Sequence, residues 1–230
     1  MLTIVQVYPE LLGTYGDGGN GLVLAERARR RGIAVRLIHA GMDDQLASAD
    51  LYLLGGGEDG PQRLAVELLA NAGFGQQVSN GAMVFAVCAG LQMLGTSFSV
   101  HGDDEYRGLG LVPAVTTRAT TRAVGDLVTE VNGTLMVGFE NHGGATSFGS
   151  GVDPLGTVVR GRGNDGQTDG CRMGRIWATY AHGPVLALNP WLADAVLAEA
   201  IGRDQLEPLD SVADRLYESR CRALMNLGVD

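Results

Sequence analysis

Residues 83–95 constrain the fold more than any other stretch. Five apolar residues from Met83 to Val87 lead into Cys88, and Ala89 and Gly90 open a run of helix formers that ends near Gly95. A short apolar run of this kind suits a strand covered on both faces. Ala89 and Gly90 let the backbone turn sharply without a bulky side chain in the way. The stretch predicts a strand, an elbow and a helix, with Cys88 at the elbow.

A cysteine in that position has a chemical use. The thiolate is the nucleophile, and the N–H groups and positive dipole end of a following helix favour it. The same turn offers the Ala89 N–H to an oxyanion, as in a nucleophile elbow, where the residue after the nucleophile supplies one donor. The competing reading is a buried cysteine that serves as a small core residue. This stretch alone leaves both open.

The chain has 230 residues, of which 45% are hydrophobic and 19% charged, so it can build a large core. Its length predicts one domain, or one domain with an appendage. A formal net charge of -9 argues against nucleic-acid binding, which calls for a basic face. Arg27, Arg29, Arg30 and Arg31 do cluster, but they close a helical pattern where cations complement the carbonyl end, and a solvated helix end is expected. The amino terminus lacks the charged region and long apolar core of a signal peptide, and no apolar run approaches a membrane span, so no direct membrane insertion is expected. Cys88, Cys171 and Cys221 are widely separated and form neither a disulfide framework nor a paired metal motif. A reducing cytoplasm is the expected setting.

Along the chain, residues 2–7 read as a first strand, followed by a loop rich in turn formers from Tyr8 to Asn20. Asn20 is placed to cap a helix carrying Leu22, Val23, Ala25 and Ala28 and ending near Gly32, after which residues 34–39 give a second strand. A third strand ends in Gly55, Gly56 and Gly57, and a helix starts at Pro61. Three glycines at a strand's carboxyl end let the backbone approach a ligand and aim N–H groups at an anion; the plainer reading is a turn. These glycines and Cys88 both fall at carboxyl ends of predicted strands, the edge along which open parallel sheets bind ligands. One donor from the Gly55 to Gly57 turn and one from Ala89 would make an oxyanion hole.

Beyond Gly95 the pattern changes to shorter strands over 109–121, 127–131, 135–140 and 157–162, with an exposed and mobile loop expected over 161–170. Residues 175–180 read as a strand ending in Ala181, His182, Gly183 and Pro184. A cysteine nucleophile needs a base, and the chain has four histidines. His39 ends an early strand, and His101 lies in an acidic turn beside Asp103, Asp104 and Glu105. His142 is the rival candidate, although its glycine-rich surroundings also suit a structural turn. His182 is favoured because a strand, small residues and a following helix repeat the setting of Cys88. Near the carboxyl terminus, Val212, Leu216, Tyr217, Leu224 and Leu227 recur at approximately helical spacing. They predict an amphipathic helix that packs on the domain in preference to meeting a partner, with Cys221 structural.

These segments resemble a known family. Residues 87–92 around Cys88 are similar to the nucleophile motif of class I, triad-type glutamine amidotransferases, and residues 180–184 around His182 to their histidine motif. Both fit the cobyric-acid-synthase-like branch. Within it, residues 15–20, 55–57, 121–126 and 138–144 resemble the glutaminase subunits of lipid II isoglutaminyl synthases, the GatD group.

The resemblance covers roughly residues 2–201. It implies an α/β, flavodoxin-like three-layer fold with a mixed, mainly parallel central sheet, with residues 1–201 as the amidotransferase domain and 202–230 as a C-terminal helical extension. It implies that Cys88 attacks the side-chain amide carbon of L-glutamine to form a thioester, and that His182 helps form the thiolate and protonates the departing ammonia. Gly57 and Ala89 would stabilise the oxyanion, Arg122 would hold the substrate carboxylate, and Gln92 would contact substrate. No metal or cofactor is implied in this chain. ATP and Mg would belong to a MurT-type, Mur-ligase-like subunit, which as the partner in a heterodimer uses the ammonia to amidate the D-glutamate of the lipid II stem peptide.

One departure concerns the third catalytic group: many class I amidotransferases carry a glutamate two positions beyond the histidine, where this chain has Pro184. Glu140, Asp17 or another acid would substitute, or the partner would provide one, and the resemblance favours the partner. Other readings are a catalytically silent binding module of the same architecture, a glutaminase subunit for a different ATP-dependent synthetase such as a cobyric-acid-type enzyme, and a cysteine peptidase or small-amide hydrolase.

Overall fold

The computed structural model describes residues 1–99, 104–209 and 211–226; His101, Asp103 and Leu227 lie outside the described residues. The first half of the chain interleaves strands and helices: β1 (Leu2–Val7), α1 (Gly19–Arg30), β2 (Val35–Ala40), β3 (Leu51–Leu54), α2 (Asp59–Asn71), α3 (Phe74–Ser79), β4 (Met83–Val87) and α4 (Ala89–Leu94). A run of strands follows: β5 (Ser97–Ser99), β6 (Glu105–Arg107), β7 (Ala114–Val131), β8 (Thr134–Phe148), β9 (Gly156–Arg160), β10 (Thr168–Asp169), β11 (Cys171–Met173) and β12 (Ile176–Thr179). The chain then adds α5 (Val185–Leu188), α6 (Pro190–Ala200) and α7 (Val212–Asn226).

The first sheet has the order β11-β12-β4-β3-β1-β2 and is parallel except at β11. Every residue of β1, β3, β4 and β12 is buried, which is why these strands read as near-continuous apolar runs. The crossovers from β1 to β2 and from β3 to β4 step in opposite directions along the sheet, so right-handed connections put α1 on one face and α2 with α3 on the other. Helix α4 packs beside α2, while α5 and α6 join α1. The carboxyl ends of β1, β3, β4 and β12 consequently share one edge, and the segments that leave it carry Asp17, Gly56, Cys88 and His182.

The second sheet runs β10-β9-β7-β5-β6, with β8 also paired to β7. Strands β7 and β8 form one long hairpin closed by Asn132 and Gly133, both at positive φ (50° and 81°), the conformation a two-residue turn requires. Here the structure corrects the expectation of several short strands and a glycine-rich turn. Strand β8 runs unbroken through Asn141–Gly144, because Gly144 is a packing glycine: a Cβ there would come within 2.7 Å of Gln92 Nε2. The β7 register slips between Arg118 and Ala123, which carries residues 119–122 off the ladder.

Three further expectations are revised by packing. The segment over residues 161–170 is pinned: Asn164 and Asp169 are fully buried, Asn164 Nδ2 donates to the Gly170 carbonyl at 2.9 Å, and the Arg162 and Gly163 N–H groups donate to Glu140 at 2.7 and 2.9 Å. The arginines closing α1 do not all sit in solvent. Arg27 and Arg31 both reach Asp194 of α6 at 2.6 Å with side chains only 8% and 5% exposed, clamping the two helices together. Asn20 lies inside α1, after a cap at Gly18, and its Oδ1 accepts the Leu186 N–H at 2.9 Å. Helix α7 packs against α5 and α6, and its Tyr217 hydroxyl donates to the Leu135 carbonyl at 2.7 Å.

Candidate active site

Strand β4 delivers Cys88 at a strained elbow. Its φ of 51° and ψ of -106° are unusual for a residue with a Cβ and cost about 1–3 kcal/mol, held by the surrounding packing. Two neighbours enforce the turn. The Cys88 N–H donates to the Thr179 carbonyl at 2.8 Å, and Gly90 lies so close to β3 that a Cβ would stand 2.7 Å from the Leu54 carbonyl oxygen. The following helix, α4, has six residues. Its dipole is therefore a small source of positive charge beside Cys88 compared with the neighbouring histidine.

His182 follows β12 on the same edge. Its main chain pairs with Phe139 of β8 in both directions, at 2.8 and 3.3 Å. Just upstream, Asp169 accepts the Thr179 hydroxyl at 2.5 Å and the Tyr180 N–H at 3.0 Å, and the Thr179 hydroxyl accepts the Ala181 N–H at 2.9 Å. The imidazole is fully buried between Tyr15, edge-on at 4.8 Å between ring centres, and Phe139, stacked at 5.5 Å.

Asp17 Oδ2 lies 2.9 Å from His182 Nδ1 and also accepts the Gly56 N–H at 2.8 Å. Gly56 is confined by this pair, since a Cβ would stand 2.6 Å from His182 Cε1 and 3.1 Å from Asp17 Oδ2. The other ring nitrogen, Nε2, is buried without a hydrogen-bond partner, and the Cys88 thiol is the ionisable group beside it. Burial by itself would lower the histidine pKa, but Asp17 and then Cys88 outweigh it and push the value up to about 9. An imidazolium at that position stabilises a thiolate.

Of the acids considered in place of the one missing at Pro184, Asp17 is the carboxylate that meets His182 within the chain. Pro184 packs against the start of α1, where a Cβ on Gly19 would come within 2.3 Å of its ring. The carboxylate arrives instead from the loop after β1. Glu140, also considered for this role, is committed elsewhere: its Oε2 lies 3.0 Å from His142 Nε2. His142 Nδ1 contacts the Gly144 carbonyl at 3.0 Å, and its ring stacks on Tyr180 at 3.9 Å.

Cys88 opens into a pocket of about 280 Å³ that is also lined by Gly57, Ala89, Gln92 and Arg122, so the structure brings together all four residues expected to contact substrate. Gly57 lines this pocket, whereas the Gly56 N–H is turned to Asp17. Gln92 is a bridge in the wall, accepting from Gln62 Nε2 at 3.0 Å and donating to the Tyr180 hydroxyl at 3.2 Å. Arg122 donates from Nε to Asn141 Oδ1 at 2.6 Å. A larger cleft of about 670 Å³, lined in part by Arg63, Phe98 and Tyr106, holds none of these residues. Sequence reasoning did not single out Tyr15 or Asn141. Their signal is positional, since Tyr15 lies on the loop leaving β1 and Asn141 alternates with Phe139 on β8.

This fold and pocket coincide with a family match: the model of the CobB/CobQ-like glutamine amidotransferase domain covers residues 3–190, and the chain belongs to that family. Among curated proteins it is similar to the GatD subunit of the glutamine-hydrolyzing lipid II isoglutaminyl synthase of Staphylococcus aureus (strain N315). The two are 33% identical over 210 residues, which cover 88% of this chain and 85% of that protein. The GatD subunit of Streptococcus pneumoniae (strain ATCC BAA-255 / R6) is 31% identical over 209 residues, covering 87% of this chain and 80% of that one. A solved glutamine amidotransferase structure shares the fold, with a TM-score of 0.55 and 23% identity, covering 85% of this chain and 98% of that one. Among the described residues, no helix is long and apolar enough to cross a membrane.

Proposed function

We propose that this chain is the glutaminase subunit of a lipid II isoglutaminyl synthase and works through a Cys88–His182–Asp17 triad. The observation that carries the reading is the meeting of these three side chains beside a pocket that also presents Gly57, Ala89 and Arg122. The terminal nitrogens of Arg122 hold the α-carboxylate of L-glutamine, for which a planar guanidinium is suited. The Cys88 thiolate attacks the side-chain amide carbon, and backbone N–H groups near Gly57 and at Ala89 take the charge that develops on its oxygen. His182 gives its Nε2 proton to the departing ammonia, then accepts one from the water that cleaves the thioester and releases glutamate. Asp17 holds the imidazole through Nδ1 and stabilises its charged form.

The names of the S. aureus and S. pneumoniae relatives support the acceptor. On this reading the ammonia passes in the cytoplasm to a MurT-type, Mur-ligase-like partner that uses ATP and Mg to amidate the D-glutamate of the lipid II stem peptide. The test is glutamate release from L-glutamine by the chain alone and with such a partner, each beside Cys88→Ser. Release that disappears in Cys88→Ser is expected, with measurable hydrolysis by the chain alone because Asp17 completes the site in cis. Undiminished release by Cys88→Ser, or silence of the unaltered chain in both conditions, would overturn the proposal.

A further inference from the structure

Strand β8 sends Phe139 and Asn141 to one face, as residues two apart must be. Phe139 stacks on His182, whereas Asn141 makes two side-chain contacts that lead in opposite directions. Its Oδ1 accepts Arg122 Nε at 2.6 Å, and its own main-chain carbonyl accepts an N–H from Arg122 Nη2 at 3.3 Å. Its Nδ2 donates to the Tyr15 hydroxyl at 2.7 Å. Tyr15 in turn covers His182 edge-on and Phe139 at 5.8 Å, and it sits two residues before Asp17 in the same loop. Its φ of 65° is one that a residue with a Cβ rarely adopts, so its ring depends on tertiary contacts to stay in place.

We propose that Asn141 is a positioning residue whose single amide sets the register between Arg122, at the substrate pocket, and Tyr15, the cover of His182. The role given to Arg122 rests on the glutaminase reading above; the arm from Asn141 through Tyr15 to His182 does not. The carboxamide suits the task because it accepts on one side and donates on the other, whereas an aspartate could only accept. A substrate carboxylate that engages Nη1 and the remaining N–H of Nη2 leaves the Arg122 Nε contact intact, so binding tightens the clasp on Asn141 and through it holds Tyr15 over the histidine.

The experiment is a double-mutant cycle on glutamine hydrolysis with Tyr15→Phe and Arg122→Lys, carried out with Asn141 intact and again in Asn141→Ala. Beside it runs the pH profile of Cys88 alkylation by iodoacetamide in the full chain, with Cys88→Ser as the blank. Tyr15→Phe keeps the ring and removes only the hydroxyl, so it guards against a misfolded Asn141→Ala. Asn141→Ala is expected to lower kcat as well as raise KM, each by about tenfold, and to shift the alkylation profile. The two other substitutions should be non-additive by about threefold or more with Asn141 present, and additive without it. Additive penalties with Asn141 present, or an effect of Asn141→Ala on KM alone with an unchanged alkylation profile, would overturn the inference. If the unaltered chain hydrolyses glutamine neither alone nor with the partner, the glutaminase reading fails separately, and the alkylation profiles of Asn141→Ala and Tyr15→Phe still decide whether Asn141 positions His182.

Discussion

His182 with Asp17 and His142 with Glu140 are buried imidazole–carboxylate pairs of nearly equal length, 2.9 and 3.0 Å, and strand β8 touches both. They differ at the second ring nitrogen. His142 is filled at both ends, against Glu140 and the Gly144 carbonyl, and Glu140 also accepts the Arg162 and Gly163 N–H groups. That pair ties β8 to the segment after β9. His182 keeps Nε2 without a hydrogen-bond partner, beside the Cys88 thiol on its strained elbow. A carboxylate partner is therefore common to both pairs, and what supports the proposed role for His182 is the unspent nitrogen beside the Cys88 thiol.

The widest separation between the pairs should come from deletion. His182→Ala and Cys88→Ser are each expected to lower glutamine hydrolysis by roughly 10⁴-fold or more, with the fold retained by circular dichroism. His142→Gln at the other pair should leave turnover per folded molecule within about tenfold of normal. A folded His142→Gln protein as inactive as His182→Ala would erase the distinction.

Next in size is Asp17→Asn, which keeps the shape of the carboxylate while removing its charge. Hydrolysis should fall roughly 10²- to 10⁴-fold, and a Mur-ligase-like partner should not restore it. Full recovery on adding the partner would mean that the acid crosses the interface after all.

How much of this was legible beforehand follows from how local each feature is. Cys88, Ala89 and Gly90 announce their elbow within a few residues, and the unbroken apolar character of β1, β3, β4 and β12 reflects burial on both faces. Asp17 could only be one of several acids, because its pairing with His182 spans 165 positions and depends on two loops meeting at one sheet edge. Gly143 and Gly144 read as a turn although they lie in a strand. What makes Gly144 small is the amide of Gln92 overhead, a tertiary contact that no local pattern carries. The buried arginines closing α1 misled in the same way, since their carboxylate, Asp194, lies on α6.

Breaking the structural pair should tell in stability. Glu140→Ala strips a buried imidazole of its carboxylate and leaves two N–H groups unpaired, a change worth about 3–5 kcal/mol. Urea denaturation would measure it, and a loss below about 1 kcal/mol would show that the network holds without its centre.

The smallest effect separates the pairs along the pH axis. Asp17 and Cys88 raise His182 from 6.5 to about 9, so the stabilisation of its charged form is complete below pH 6.5 and is lost as pH climbs through about 9. At about 1.4 kcal/mol per unit this amounts to roughly 3 kcal/mol. Glu140 behaves oppositely. Burial would raise its pKa, but the hydrogen bonds from His142, Gly163 and Arg162 win and hold it below the ordinary 4.5, so its contribution is present above pH 4.5 and lost as pH falls through the lowered value. Asp169, which burial raises to about 6, loses stabilisation as pH rises across the interval between 3.8 and 6. Glu140 contributes to the raised Asp169 value, so Glu140→Gln acts on both groups, and both lie on the acid side of the curve, away from His182. His182→Ala should flatten the stability curve between pH 6.5 and 9, and Glu140→Gln should act on the acid limb and leave that interval alone. If His182→Ala instead moves only the acid limb, the imidazole is not held in its charged form, and Cys88 must draw its thiolate from another source.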